Sequence, residues 1–187
     1  MDNLPPAAQC DSRKTSGVVV WLTGLSAAGK STIATALARA LTESGRNAFI
    51  LDGDQLRRGL CSDLGFSPTA REENIRRAAE VARLFADAGV ICVTAFISPY
   101  RAGRELARRL APPGKFLEVY LATPLEICER RDPKGLYALA RAGKIQEFTG
   151  VSAPYEPPRQ PELILRTDQF SVAECVAKIR ARLEEMI

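Results

Sequence analysis

Residues Gly24-Leu25-Ser26-Ala27-Ala28-Gly29-Lys30-Ser31 fit the spacing G-x-x-x-x-G-K-[ST]. Glycines at both ends let backbone N–H groups turn inward around a phosphate. A helix starting there aims its positive end, roughly half an elementary charge, at the same point. Lys30 then reaches the terminal phosphates of a nucleoside triphosphate, and the Ser31 hydroxyl offers an oxygen to Mg²⁺. Asp52-Gly53-Asp54 supplies two carboxylates, one to orient Mg²⁺ or its waters and one to take a proton from an attacking hydroxyl. Taken singly, each motif has a plain reading: a strand-to-helix turn with an exposed lysine, and a common D-G-D turn. Together they point to phosphoryl transfer.

Further along lie possible anion ligands: Arg57, Arg58, Arg71, Asn74, Arg76 and Arg77. Arg71 and Asn74 are three residues apart and share a helix face, which Arg76 and Arg77 cannot both join. At least one of these arginines is expected to be ordinary solvated surface. Ser98-Pro99 reads as a helix N-cap followed by the first helical residue. That makes Ser98 a capping or ligand-positioning group rather than a nucleophile.

These residues need a scaffold that brings them to one edge. Apolar runs at Val18–Thr23, Ala48–Leu51, Val90–Phe96, Phe116–Leu121 and Leu163–Leu165 read as strands. They alternate with helical patterns over 30–44, 69–88, 99–110, 124–130 and 171–186. The alternation predicts an α/β fold: three layers, a parallel five-stranded sheet with helices on both faces. In such sheets the ligand crevice lies beyond the carboxyl ends of the strands, where the phosphate loop, the D-G-D turn and Ser98 all fall. Capping boxes are expected at Thr69-x-x-Glu72, Thr123-Pro124-x-Glu126 and Ser171-x-x-Glu174. Residues 1–16, polar and with Pro5-Pro6, read as a flexible tail, leaving 17–187 as one domain. The Gly- and Pro-rich stretch 131–161 is long for a connection and reads as a mobile lid that excludes water during transfer.

Composition narrows the field. The 187 residues carry 26 Lys and Arg against 22 Asp and Glu, a net charge of +4, and no histidine. An imidazole base or histidine metal ligand is therefore excluded. The mild, Arg-weighted charge lacks the basic blocks of a nucleic-acid binder. Five scattered cysteines without a C-x-x-C fit a reducing compartment. The sequence shows neither an 18-residue apolar run nor an opening signal, so a soluble, cytoplasmic protein with no membrane contact is expected.

The chain resembles the adenylylsulfate kinase (APS kinase) family over about residues 17–187. The likeness rests on W-L-T-G-L-S-x-x-G-K-S at Trp21–Ser31, L-D-G-D-x-x-R at Leu51–Arg57, D-L-G-F-S at Asp63–Ser67 and R-E-E-N-I-R-R at Arg71–Arg77. It continues with F-I-S-P-Y at Phe96–Tyr100, R-D-P-K-G-L-Y at Arg131–Tyr137, F-T-G at Phe148–Gly150 and P-Y-E-P-P at Pro154–Pro158. The resemblance implies a phosphate-loop kinase that moves the γ-phosphate of ATP to the 3′-hydroxyl of adenosine 5′-phosphosulfate in sulfate assimilation. ATP phosphates would lie on Gly24, Leu25, Ser26, Ala27, Ala28, Gly29, Lys30, Ser31 and Thr32, with Mg²⁺ at Ser31 and Asp52, directly or through water. Asp54 would face the acceptor hydroxyl. Arg57, Arg71 and Asn74 would hold its phosphosulfate, Phe66 and Phe148 would flank its adenine, and Ile97 and Ser98 would line the site. Lys134 would be a lid cation on the reacting phosphates. The family describes a phosphoserine at the position of Ser98. A homodimer is implied, as is association or fusion with a sulfate adenylyltransferase.

The chain departs from the family pattern at Ala27, where glycine is usual, at Ala70, where Asp is usual, and neutrally at Gln55. Alanine at position 27 predicts an ordinary backbone region there, with conformational freedom confined to Gly24 and Gly29. The alternatives are a phosphate-loop kinase for another small metabolite or a nucleoside monophosphate, and a nucleotide-dependent switch. The switch lacks the N-K-x-D expected of a guanine binder.

Overall fold

The computed structural model describes residues 17–187; the tail expected over 1–16 lies outside the described residues. Five parallel strands form one sheet in the order β2-β3-β1-β4-β5. They are β1 (Val19–Thr23), β2 (Ala48–Asp52), β3 (Ile91–Ala95), β4 (Phe116–Leu121) and β5 (Leu163–Leu165). The helices are α1 (Lys30–Glu43), α2 (Gly53–Arg57), α3 (Pro68–Asp87), α4 (Arg101–Leu110), α5 (Leu125–Arg131), α6 (Leu136–Arg141) and α7 (Val172–Glu184).

Strand alternation sorts side chains to two cores. Val18, Val20 and Leu22 of the first strand run, with Val93, Leu117 and Val119, face α1 and α7, which contribute Ile33, Leu37, Ile179 and Leu183. Val19 and Trp21, with Cys92, Phe96 and Phe116, face α3 and α4, where Ile75, Ala78, Ala82 and Ala107 pack. The small alanines of α3 let that helix lie close on the sheet. Trp21 fills the space opposite, stacked between Phe96 at 5.5 Å and Phe116 at 6.0 Å. Burial on both faces explains why the central strands read as near-continuous apolar runs.

Several local expectations are corrected. Ser67, not Thr69, caps α3: its hydroxyl accepts from the Ala70 N–H, because Pro68 takes the first helical position. Thr123 caps nothing. Pro124 precedes α5 without a side-chain cap, and the Thr123 hydroxyl pairs instead with that of Thr167 at 2.8 Å. Ser98-Pro99 does not start α4, which begins at Arg101 after Tyr100. The box at Ser171 and Glu174 forms as expected. Two short helices escape the pattern, α2 in the D-G-D region and α6 inside the 131–161 stretch. Cys61, Cys92, Cys128 and Cys175 are free and buried, and no helix among the described residues is long and apolar enough to cross a membrane.

Candidate active site

The phosphate loop joins β1, the middle strand of the sheet, to α1. Gly24 (φ 151°) and Gly29 (φ 97°) take up positive φ, as their types allow. Ala27 does too, at φ 58°. This overturns the expectation of an ordinary conformation there: the loop closes through a left-handed residue even where a Cβ must be accommodated, at about 1–2 kcal/mol. A Cβ at Gly24 would meet the Leu121 carbonyl oxygen at 2.8 Å, so that glycine is required for space as well as angle. No side chain caps the N-terminus of α1, leaving its free N–H groups and dipole directed at the loop. The Lys30 ammonium donates to the carbonyls of Gly24 (3.0 Å) and Leu25 (2.6 Å). Burial lowers its pKa to about 8, against opposing attraction from groups that include Asp52 and Asp54.

Asp52 ends β2 and does two things. One carboxylate oxygen accepts from the Asp54 N–H at 2.9 Å and so caps α2. The other accepts from the Ser31 hydroxyl at 3.0 Å. A hydroxyl and a carboxylate one hydrogen bond apart, at the foot of a phosphate loop, are the hard oxygen donors that Mg²⁺ takes alongside phosphate and water. Asp54, in the first turn of α2, is exposed and ion-paired with Lys134, which follows α5.

Across from the loop, two guanidiniums organise the acceptor side. Arg57 donates to the carbonyls of Leu64 (3.1 Å) and Gly65 (3.0 Å). Arg71 donates to the carbonyls of Phe66 and Glu147 and to the Thr149 hydroxyl. It thereby joins the loop carrying Phe66 to the one carrying Phe148. The Phe66 ring is 59% exposed with the Arg57 guanidinium 4.3 Å above it. Phe148 is mostly buried, edge-on to Tyr137. Desolvation lowers the pKa of both arginines, and Arg71 adds to the effect on Arg57. Among the described residues neither guanidinium forms an ion pair with a carboxylate. Arg76 and Arg77, by contrast, are spent on Glu73 and Asp63. Asn74 is buried with its Oδ1 unpartnered, an acceptor whose cost calls for a partner.

Ser98 sits at the end of β3 with φ 41°. Its hydroxyl is directed into the protein, accepting from the Trp21 indole N–H and donating to Thr23. The adjoining Ile97 carbonyl accepts from the Thr23 hydroxyl. The structure also brings in residues that the sequence reading did not single out. A cavity of about 180 Å³ beside the phosphate loop is lined by Gly29, Thr32, Arg131, Thr167, Phe170 and Val172. Arg131 donates to the hydroxyl and carbonyl of Thr167, and Thr167 donates to the Ala28 carbonyl. Of this wall, Gly29 and Thr32 are legible in the sequence with the phosphate loop and Arg131 at the head of R-D-P-K-G-L-Y, but Thr167, Phe170 and Val172 are not. The 131–161 stretch is laced over the loop: the Tyr137 hydroxyl donates to the Ser26 carbonyl at 3.1 Å.

The model of the adenylylsulphate kinase family matches residues 16–166. The chain belongs to that family. An adenylyl-sulfate kinase of Marinobacter nauticus is 58% identical over 167 residues, covering 89% of this chain and 84% of its own. The fold matches, with a TM-score of 0.86, the structure of the Mycobacterium tuberculosis APS kinase CysC in complex with AMPPNP and APS. Identity there is 48%, over 90% of this chain and 98% of the other. A hexameric APS kinase from Thiobacillus denitrificans matches at a TM-score of 0.69 and 34% identity, over 95% of this chain but 30% of that one. Membership in the family makes the protein a kinase with the parallel-sheet phosphate-loop fold.

Proposed function

We propose that the protein transfers the γ-phosphate of ATP to the 3′-hydroxyl of adenosine 5′-phosphosulfate, giving ADP and 3′-phosphoadenylylsulfate. The observation that carries this is the pair Arg57 and Arg71. Among the described residues they are two partly buried cations without carboxylate partners, in a phosphate-loop chain whose relative was solved with both an ATP analogue and APS.

ATP phosphates rest on Gly24–Thr32, with the base and ribose in the cavity between Arg131, Thr167 and Phe170. Ser31 and Asp52 would hold Mg²⁺, directly or through water, and its positive charge would offset that of the phosphates. Arg57 and Arg71 take the phosphosulfate, their forked donors suiting a tetrahedral oxyanion, and Asn74 adds its Nδ2 amide as a donor. Phe66 and Phe148 flank the acceptor adenine, with Ile97 at the wall. Asp54 takes the proton from the 3′-hydroxyl as its oxygen attacks, and Lys134 moves from Asp54 to the reacting phosphates. The 131–161 stretch, which carries Lys134, Glu147 and Phe148, works as the lid. Transfer is direct, between two bound substrates, so Ser98 carries no phosphate. The enzyme works in the cytoplasm as a homodimer, associated or fused with a sulfate adenylyltransferase. A relative that is hexameric as a whole, and whose chain extends well beyond the matched part, supports an assembled and fused arrangement.

An ADP-release assay with a panel of acceptors tests the reading. Adenylylsulfate should be turned over at least about a hundredfold more efficiently than AMP, shikimate or gluconate, since a site built to hold a polar group rejects analogues lacking it by up to about 10⁴–10⁵. Equal or better activity with any of those would overturn it.

A further inference from the structure

Four side chains from distant parts of the chain meet behind the phosphate loop: Trp21 and Thr23 on β1, Ser98 after β3, and Tyr155 near the end of the 131–161 stretch. An indole N–H only donates, and Trp21 gives its proton to Ser98 Oγ at 3.2 Å. Thr23 Oγ1 lies 2.8 Å from the Ile97 carbonyl, which only accepts, so the single Thr23 proton is committed there. The Ser98 and Tyr155 hydroxyls each lie 2.9 Å from that same Thr23 oxygen. Both must therefore donate to its two lone pairs. Every proton in the cluster has one destination. Burial raises the Tyr155 pKa, which keeps the phenol a donor at neutral pH.

The surroundings reinforce the same link. Buried Arg104 donates to the carbonyls of Ser98 and Glu156, both at 2.5 Å, and to Glu118 at 3.0 Å. The Glu156 N–H donates to the Pro99 carbonyl at 2.8 Å. Ser98 holds a left-handed conformation that a non-glycine residue adopts only where neighbours impose it. Thr23 immediately precedes Gly24, and Ile97 and Ser98 leave β3 beside it. The cluster thus couples the root of the phosphate loop, the acceptor wall and the end of the lid stretch.

We infer that Tyr155 is a positioning residue for phosphoryl transfer: its hydroxyl, acting through Thr23, fixes the Ile97 carbonyl and the Ser98 turn relative to the phosphate loop and so keeps donor and acceptor in line. This rests on the kinase reading above. Tyr155→Phe removes only the hydroxyl, leaving the ring stacked on Tyr120 at 5.9 Å and under the Arg104 guanidinium.

Steady-state kinetics on Tyr155→Phe, Thr23→Val, Thr23→Ser and the double variant Tyr155→Phe/Thr23→Val test it, with calorimetry of a non-hydrolysable ATP analogue. Tyr155→Phe should lower kcat by roughly tenfold, the scale of a sub-ångström misplacement, while the analogue's Kd shifts by less than about twofold. Thr23→Val should reproduce the defect, and the double variant should be no worse than the worse single, because the two act as one unit. Thr23→Ser, which keeps the hydroxyl, should stay within about threefold of the parent. Parental kcat and KM in Tyr155→Phe would overturn the inference, as would additive losses in the double variant. Should Tyr155→Phe fail to fold, the contrast between Thr23→Val and Thr23→Ser decides. If the parent enzyme ignores adenylylsulfate, the functional reading fails on its own, and the same series is run with whichever acceptor the panel shows to be phosphorylated.

Discussion

The ammonium of Lys134 is ion-paired with the carboxylate of Asp54, joining the stretch after α5 to the first turn of α2. Both groups are mostly exposed, so the contact itself adds little stability. Its meaning lies in placement. It holds an ammonium and a carboxylate together near Lys30 of the phosphate loop, the two groups that the proposed transfer would use as cation and base.

Asp54→Ala should reduce kcat by at least about a hundredfold, the usual scale for a lost general base. Asp54→Asn should behave similarly, because it keeps the shape but cannot take a proton. Steady-state kinetics of both variants measure this, and a loss below tenfold in Asp54→Asn would demote Asp54 to a binding role.

Lys30 makes ATP binding depend on pH. In the free protein its pKa lies near 8, lowered chiefly by burial; phosphates favour the charged form and raise it. Binding near pH 8.5 should therefore take up a proton, and affinity should fall as pH climbs through about 8. Calorimetry in buffers of different ionisation enthalpy detects the uptake. Stability runs the other way. Between about 8 and 10.5 the unfolded chain holds the Lys30 proton and the folded one does not, so this group's contribution to stability rises with pH across that window. A proton release on ATP binding would contradict the assignment.

Ser98→Ala should keep more than about a tenth of kcat, since in-line transfer needs no covalent step. It should also lose about 1–2 kcal/mol of stability, because the buried Trp21 N–H loses its acceptor. Denaturant unfolding measures the second effect. Near-complete inactivity in a folded Ser98→Ala protein would restore the phosphoserine route.

Ala27→Gly should stabilise the protein by up to about 1 kcal/mol: relief of the left-handed alanine outweighs the added freedom of the unfolded chain. A lower Tm would mean that the Ala27 methyl packs well enough to offset its strain.

Much of the architecture was legible in the sequence because the relevant interactions are local or periodic. The strand runs, the long helices and the phosphate loop all follow from spacing. Failures occurred where one neighbour changed the outcome. Pro68 moved the cap of α3 from Thr69 to Ser67, and Asp52 made a helix of Gly53–Arg57, a segment with no apolar period. Ala27 departs from its intrinsic preference against φ > 0 because closing the loop between β1 and α1 requires it.

The sequence by itself determined that a phosphate loop, a D-G-D turn and Ser98 fall at the carboxyl edge of a parallel sheet. Element type and edge placement follow from hydrophobic pattern and chain direction, which are written locally; the strand order β2-β3-β1-β4-β5 does not. Tertiary structure alone decided which groups meet: Ser31 with Asp52, Asp54 with Lys134, and Tyr155 with Thr23 across 132 positions. It also decided which arginine charges stay uncompensated: among the described residues Arg76 and Arg77 are neutralised by carboxylates, whereas Arg57 and Arg71 donate to neutral oxygens. Hydrogen-bond satisfaction in a low-dielectric interior is a property of three-dimensional neighbours, and sequence spacing carries no record of it.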